Sequence, residues 1–217
     1  MEEQRHSRKS LWKCGRKRRA FPQIERRSRW RNANMVTDTL TIWTIGHSTR
    51  FIEEFIELLT INGIEALADI RRLMGSRKFP QFDQDALRDS LHAAGIEYIP
   101  IPELGGRRRV NADSHNTVWR NASFRAYADH METDEFKRGI EKLLTLARDK
   151  RTAIMCAEAV WWRCHRALVS DYLKAKGVRV IHILSPTSTK EHPYTSAANV
   201  RGDTVSYTER REAINSD

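Results

Sequence analysis

This sequence lacks a disulfide framework, long apolar runs and internal repeats. It has only three cysteines in 217 residues, Cys14, Cys156 and Cys164, and a small odd number favours free thiols over disulfides. No run of about 18 apolar residues occurs, which argues against a membrane-spanning helix, and no apolar signal-peptide core is present. These absences predict a cytoplasmic protein that does not contact a membrane.

The positive charge is concentrated at one end of the chain. Residues 1–34 carry twelve Lys and Arg side chains against three acidic ones, whereas the rest of the chain carries 26 against 25. With few aliphatic residues, residues 1–38 are predicted to form a disordered basic tail. The tail, with its cluster at residues 16–19, would bind nucleic-acid phosphates without sequence preference. Alternatively, the tail is not native sequence and Met35 is the true start.

The rest of the chain alternates between strand and helix patterns. The predicted strands are 40–45, 64–70, 97–101, 152–156 and 179–184, with helical patterns between them. Such alternation predicts an α/β domain over residues 39–187, with three layers: a mostly parallel sheet and helices on both faces. Residues 188–217 form a C-terminal extension to which the pattern assigns no structure.

Chemically capable side chains follow the predicted strands. In parallel sheets, ligands bind beyond the carboxyl ends of the strands, so these side chains are expected to converge on one site. The candidate catalytic residues are Asp69, Cys156, Glu158, Cys164 and His165. The candidate substrate-binding residues are His47, Ser48, Arg71, Arg77, Trp162, Arg163 and Arg166. Further candidates are Glu103 after the third strand and His182 in the fifth.

Several short motifs carry a resemblance to a known family. They are Ile45-Gly46-His47-Ser48, Asp69-Ile70-Arg71, Leu104-Gly105-Gly106, Cys156-Ala157-Glu158, Cys164-His165-Arg166 and His182-Ile183. In this order, over residues 41–184, the chain resembles the domain of unknown function 488 family. That resemblance implies family membership and, because the family has no assigned function, neither an activity nor catalytic residues.

Three kinds of chemistry fit the candidate residues. First, a thiol near a helix N-terminus and an arginine is favoured as thiolate, so Cys156 or Cys164 would act as a nucleophile. The spacing from Cys156 to Arg163 differs from that of phosphatase loops. The alternative for each cysteine is a small buried apolar side chain.

Second, Cys156, Cys164 and His165 are of the ligand types that zinc prefers, and His47 or His182 would approach across neighbouring strands. Adjacent residues of a helix, however, point about 100° apart. Cys164 and His165 are therefore expected to diverge and could not easily bind one ion together. No metal ligands are therefore predicted, and no cofactor is assigned.

Third, Asp69, Glu103 or Glu158 would act as a general base on water while arginines bind an anionic small molecule or nucleotide. Trp161, Trp162 and Trp119 would stack a base. The alternative is that acids and arginines only pair with one another, for example Asp69 with Arg166. The sequence thus favours an enzyme acting on a phosphate, nucleotide or nucleic-acid substrate. Its rival is a non-catalytic nucleic-acid-binding or ligand-sensing protein.

Overall fold

A computed structural model describes residues 39–209, which form eight strands and five α-helices. The strands are β1 (Thr41–Gly46), β2 (Ala66–Asp69), β3 (Glu97–Pro100), β4 (Thr152–Cys156), β5 (Arg179–Ser185), β6 (Ser188–Glu191), β7 (Asn199–Arg201) and β8 (Thr204–Ser206). The helices are α1 (Ile52–Ile61), α2 (Gln84–Ala93), α3 (Ala122–Met131), α4 (Asp134–Asp149) and α5 (Arg166–Ala175). The predicted basic tail, its phosphate-binding cluster and the alternative start at Met35 lie outside the described residues.

Six of the strands form one sheet in the order β3-β2-β4-β1-β5-β6. The first five are parallel, and β6 pairs antiparallel with β5. The sheet therefore continues beyond residue 187, while β7 and β8 pair as a separate hairpin. The predicted α/β class with a mostly parallel sheet is confirmed.

Side chains alternate between the two faces of the sheet, as the strand period of two requires. On one face Trp43, Ile45 and Met155 pack with buried residues of α1 and α2. On the other, Ile42 and Ile154 pack with residues of α3, α4 and α5. The sheet is thus the middle of three layers. The alternation also puts Cys156 on the α5 face, because it follows Met155.

Three strands end together in the register of the sheet. Gly46 is paired with Cys156, and Asp69 with Met155. The backbone N–H of His47 donates to the Cys156 carbonyl at 3.1 Å, which extends the pairing one residue beyond β1. The carboxyl ends of β1, β2 and β4 therefore bring their following loops to one edge.

Local signals set the ends of the helices. The Thr133 hydroxyl accepts a hydrogen bond from the Phe136 N–H and so caps α4. Asp83 occupies the N-cap position of α2 but makes no capping bond; its carboxylate instead accepts from the Ser76 N–H at 3.4 Å. In residues 39–209, no helix is long and apolar enough to cross a membrane.

Candidate functional site

A cleft of about 830 Å³ opens at the carboxyl ends of the strands, as the topology predicts. Eight of the twelve predicted site residues line it: His47, Ser48, Arg71, Cys156, Glu158, Arg163, Cys164 and His165. Four do not line it: Asp69, Arg77, Trp162 and Arg166.

Four residues around the start of α5 form what we call the thiol cluster: Cys156, Cys164, His165 and Arg166. Both cysteines are free and buried. The Cys164 Sγ lies 3.4 Å from the His165 Nδ1 and accepts from the Arg166 backbone N–H at 3.5 Å. The Arg166 Nε donates to the Cys156 Sγ at 3.1 Å. Two thiols, an imidazole and a guanidinium are therefore in direct contact at the floor of the cleft.

The hydrogen bonds of His165 fix its tautomer. Its Nε2 lies 3.1 Å from the Ile70 carbonyl, which can only accept, so Nε2 carries the proton. The Nδ1 lone pair then faces the Cys164 Sγ. Gly106 leaves room for this ring, because a Cβ there would lie 2.9 Å from the His165 Nδ1. His165 is placed to accept a proton from Cys164.

Arg166 is a buried cation without a carboxylate partner among the described residues. Only 1% of it is exposed. Besides the Cys156 Sγ, its side chain donates to the Glu158 carbonyl at 2.5 Å and to the Ala159 carbonyl at 3.3 Å. A buried charge is costly unless it is compensated, and the groups beside it that can ionise are the thiols. Arg166 therefore favours a thiolate in the cysteine pair rather than binding substrate in the cleft.

The two thiols have opposite pKa shifts. Burial would raise the pKa of Cys164, but the hydrogen bond from Cys156 and the charge of Arg166 outweigh it and lower that pKa to about 7. Burial, followed by the hydrogen bond to Cys164, raises the pKa of Cys156 well above its ordinary value. Of the two thiols, Cys164 is therefore the one favoured as thiolate.

The loop from β4 to α5 wraps around Arg166 instead of an anion. The Glu158 and Ala159 carbonyls point at the guanidinium, whereas a phosphatase loop directs N–H groups inward. Gly46 permits this course, since a Cβ there would lie 1.8 Å from the Glu158 carbonyl oxygen. The contacts agree with the spacing argument against a phosphatase loop.

Asp69 pairs with Arg71 rather than with Arg166. Its carboxylate accepts from the Arg71 Nε at 2.9 Å, from Nη2 at 2.6 Å and from the Tyr98 hydroxyl at 2.8 Å. Asp69 is fully buried, so no oxygen faces the cleft. It positions Arg71, and the carboxylate that does line the cleft is Glu158.

His47 stacks on Phe82, with ring centroids 4.2 Å apart. Burial and then the charge of Arg71 lower the pKa of His47 to about 4, so its ring is neutral at pH 7. Ser48 follows in the left-handed region (φ 51°), and its N–H donates to the Ala157 carbonyl at 2.9 Å. Both residues line the cleft next to the end of β4, where the Cys156 thiol lies.

The mouth of the cleft is basic. Exposed lining residues include Arg72, Lys78, Arg107 and Arg163, and the only acidic one is Glu158. Within residues 39–209, none of these four cations forms a salt bridge with an acidic side chain. Phe79 and Phe124 line the same space. The cleft therefore offers unneutralised positive charge beside apolar rings.

A second depression, of about 750 Å³, lies between β3 and α4. Its charged side chains include Glu97 and Lys150, which pair with each other. Glu103 pairs with Lys142 and does not line the cleft. This depression is lined by no cysteine or histidine, so the site is assigned to the cleft.

The thiol cluster also supplies soft metal ligands. The Cys156 and Cys164 sulfurs and a His165 nitrogen all lie within 4.8 Å of one another. The prediction that Cys164 and His165 diverge was wrong, because Cys164 is extended (φ −130°, ψ 152°) and α5 begins only at Arg166. These donors are of the types that zinc binds. Zinc binding would remove the free thiol.

Sequence reasoning missed a second polar cluster, which we call the imidazole chain. The Thr44 Oγ1 lies 2.7 Å from the His182 Nδ1, the His182 Nε2 is 2.9 Å from the His192 Nδ1, and the His192 Nε2 is 2.9 Å from the Asp171 Oδ1. Asp171 also accepts from the Tyr207 hydroxyl, at 3.0 Å. The available signal in the sequence was Asp171, an acidic residue on the face of α5 that is buried, which requires polar partners in the core.

The tryptophans lie outside the cleft. Trp161 is buried and stacks on His182, with centroids 4.4 Å apart and planes 4° from parallel. Trp162 is 54% exposed and packs edge-on against Trp161. Trp119 stacks on Phe124 at 4.7 Å. Among these contacts, only Phe124 belongs to the cleft lining.

Comparison with known proteins gives one match. The family described as "Domain of unknown function DUF488" matches residues 51–173, which include Asp69, Arg71 and the whole thiol cluster. No curated protein and no solved structure matches the chain. The family match covers more than half of the sequence. The chain therefore belongs to the DUF488 family.

Proposed function

We propose that this protein is an enzyme that uses the Cys164 thiolate as a nucleophile on an anionic substrate. The observation that carries the proposal is the contact of Cys164 with the His165 Nδ1 beside a buried, otherwise uncompensated Arg166. A base, a cation and a helix N-terminus all favour the thiolate, as nucleophilic catalysis requires. The open cleft gives substrate access to this sulfur.

The substrate class follows from the charge and shape of the cleft mouth. Arg72, Lys78, Arg107 and Arg163 supply positive charge that no acidic side chain of residues 39–209 neutralises through a salt bridge. Arginine forks suit phosphate oxygens, and the Phe79 and Phe124 rings suit the face of a base. The proposed substrate is a phosphate-bearing small molecule, with a nucleotide or the end of a nucleic acid as the main candidates.

The proposed reaction has two steps. His165 Nδ1 takes the Cys164 proton, and the sulfur attacks the electrophilic centre while the leaving group departs with a proton. Glu158, the exposed acid of the cleft lining, then activates a water that releases the group from sulfur. The thiol chemistry fits a cytosolic location, where the environment keeps cysteines reduced.

The rival proposal is a nucleic-acid-binding protein without catalysis, in which residues 1–34 supply the affinity. Those residues lie outside the described part of the chain. The rival predicts that binding survives loss of the cleft cations, whereas the enzyme proposal predicts that it does not. Binding by the tail alone would also be steeply salt-dependent and indifferent to sequence.

A ligand-dependent thermal melt of the full-length chain tests the binding part. Phosphate, mononucleotides and short single-stranded DNA and RNA are added with and without EDTA. A ligand at 100 times its Kd stabilises the native state by about 2.7 kcal/mol. We expect the Tm rise to disappear in Arg107→Ala and Arg163→Ala and to remain in the exposed control Arg148→Ala. Equal shifts in all three variants would refute a cleft-bound anion.

Covalent trapping tests the catalytic part once a ligand is found. Glu158→Gln should bind that ligand normally but accumulate an adduct on Cys164, seen by intact mass and peptide mapping. Cys164→Ser should bind without forming an adduct. Turnover that persists in Cys164→Ser would exclude the Cys164 thiol as the nucleophile.

A further inference from the structure

The two thiols of the cluster are positioned to react with each other. Their sulfurs lie within 4.8 Å, at the two ends of the loop from β4 to α5. A disulfide needs about 2.05 Å between sulfurs. Cys164 is extended and precedes α5, so its side chain can rotate without unwinding the helix. The approach therefore needs a loop adjustment rather than a rearrangement of the sheet.

The two cysteines have different surroundings, which suit one to act as a nucleophilic thiol and the other as a resolving thiol. Cys164 lies at the helix N-terminus and contacts the His165 Nδ1. Cys156 is the last residue of β4, and its sulfur is held by the Arg166 Nε. Both line the cleft, so a small oxidant reaches the first sulfur while the second is already beside it. Oxidation of Cys164 would thus be followed by an intramolecular step.

We propose that Cys156 is a resolving thiol, which captures Cys164 as a reversible disulfide after Cys164 has reacted with a hydroperoxide. The inference rests on the proposed function, because the disulfide would remove the nucleophile of that reaction. In the first step the Cys164 sulfur attacks the peroxide, forming an S–O bond as the O–O bond breaks; the departing oxygen takes the thiol proton. In the second step the Cys156 sulfur attacks Cys164, and the S–O oxygen leaves as water with the Cys156 proton.

Arg166 makes this disulfide easy to reduce. In the reduced protein the guanidinium donates to the Cys156 Sγ, and its charge favours and is compensated by a thiolate at Cys164. A disulfide carries no charge, so its formation would leave the 1% exposed cation uncompensated. Stabilising the reduced form in this way raises the reduction potential. We therefore expect mild thiol reagents to restore the free cysteines fully.

The test is the oxidation of the full-length chain in a Cys14→Ser background, which removes the cysteine outside the described residues. Equimolar hydrogen peroxide should lower the intact mass by two hydrogen atoms. Proteolysis should then give a peptide pair linked through Cys156 and Cys164, which dithiothreitol separates. The readout needs no substrate, so it can succeed or fail independently of the proposed enzyme activity.

Two further variants separate the roles of the thiols. With Cys156→Ser, Cys164 should gain one and then more oxygen atoms, a product that dithiothreitol does not fully reverse. With Cys164→Ser, peroxide consumption should fall at least about tenfold, because the remaining thiol is not activated. Melting curves of the reduced variants check folding.

Other outcomes would overturn the inference. If both thiols of the Cys14→Ser protein can still be alkylated after peroxide treatment, neither was oxidised and the pair is not redox-active. If Cys164 accumulates stable oxygen adducts while Cys156 stays free, Cys156 does not resolve it. Either result leaves the nucleophile proposal to be judged on adduct trapping alone.

Discussion

Helix α5 joins two buried polar clusters that are satisfied to different degrees. At its start, the thiol cluster contains a buried cation whose side-chain partners are a thiol and two carbonyls. One turn on, Asp171 ends the imidazole chain, where each contact pairs a donor with an acceptor. Three residues of the first cluster, Cys156, Cys164 and His165, line the cleft, and none of the second does. The two clusters are similarly buried and similarly polar. They differ in how completely their hydrogen-bonding groups and charges are paired.

The partners of the ring nitrogens explain the contrast. Asp171 pairs with the His192 Nε2, the His192 Nδ1 pairs with the His182 Nε2, and the His182 Nδ1 pairs with the Thr44 hydroxyl. Every ring nitrogen of the two histidines therefore has a partner. In the thiol cluster the His165 lone pair faces an acidic S–H instead. A polar cluster in which every donor and acceptor is paired stabilises the fold. A cluster in which an acidic group faces a base can react.

The largest expected effect comes from breaking the saturated cluster at Asp171. This carboxylate accepts from His192, from the Tyr207 hydroxyl and from the N–H and hydroxyl of Thr195. Asp171→Ala leaves four buried donors unpaired and should lower the free energy of unfolding by about 3–5 kcal/mol, as loss of one partner of a buried pair does. Urea denaturation monitored by circular dichroism measures this loss.

The matched change in the thiol cluster is Cys164→Ser, which keeps shape and hydrogen-bonding capacity. We expect it to cost no more than about 1 kcal/mol while abolishing adduct formation. A stability loss for Cys164→Ser as large as that for Asp171→Ala would show that both clusters are structural.

The next effect concerns acid stability through His182. Burial, followed by the charges of His192, Arg166 and Lys190, lowers the pKa of His182 to about 2. The unfolded chain binds the proton below about pH 6.5 and the folded chain does not, so stability falls as the pH drops below that value. His182 alone should contribute about 1.4 kcal/mol per pH unit to this loss.

His182→Gln tests this contribution, because the amide does not titrate but still supplies a donor and an acceptor. Its unfolding free energy should fall less steeply between pH 6 and about pH 4 than that of the wild type. The control is His92→Gln, at an exposed position on α2, which should retain the wild-type slope. If the His182→Gln and wild-type slopes are equal, the ring is already protonated in the folded protein.

Sequence patterns predicted the fold well because burial repeats along a strand or helix. The strand Thr152–Cys156 was predicted at its observed bounds, and the helix ends near Asn62 and Gly95 follow local turn chemistry. The pairing of β5 with β6 was not predicted. All four residues of β6 are exposed, so no apolar alternation marked it as a strand.

The site was predicted as a set of residues but not as a set of contacts. The ends of the strands predicted the position of the cleft, because strand register is set by backbone pairing. Which arginine meets Asp69 depends on side-chain packing: Arg71 is two residues away on the same edge, whereas Arg166 points to the loop carbonyls. His192 lies in the extension to which no structure was assigned. Its contact with Asp171 is made through tertiary folding alone.

A smaller effect should follow from removing one thiol of the cluster. The hydrogen bond from Cys156 is, after burial, the largest influence on the pKa of Cys164, which it lowers. In Cys156→Ala that pKa should therefore rise from about 7 toward the ordinary value of 9.0. The ultraviolet absorbance of the thiolate, titrated in a Cys14→Ser background, measures the midpoint. An unchanged midpoint would mean that Arg166 and the helix N-terminus are sufficient by themselves.

The smallest effect is expected where the two clusters adjoin, at Trp161. Its ring stacks on His182, and its buried Nε1 has no hydrogen-bond partner among residues 39–209. Trp161→Phe loses apolar area but also removes an unsatisfied N–H, so the two contributions offset and stability should change by less than about 1 kcal/mol. Trp161→Ala, the control, keeps neither ring nor stacking and should cost about 3–5 kcal/mol. If Trp161→Phe costs as much as Trp161→Ala, the indole N–H has a partner such as water. Trp161 would then belong to the hydrogen-bonded chain rather than to the apolar contact beside it.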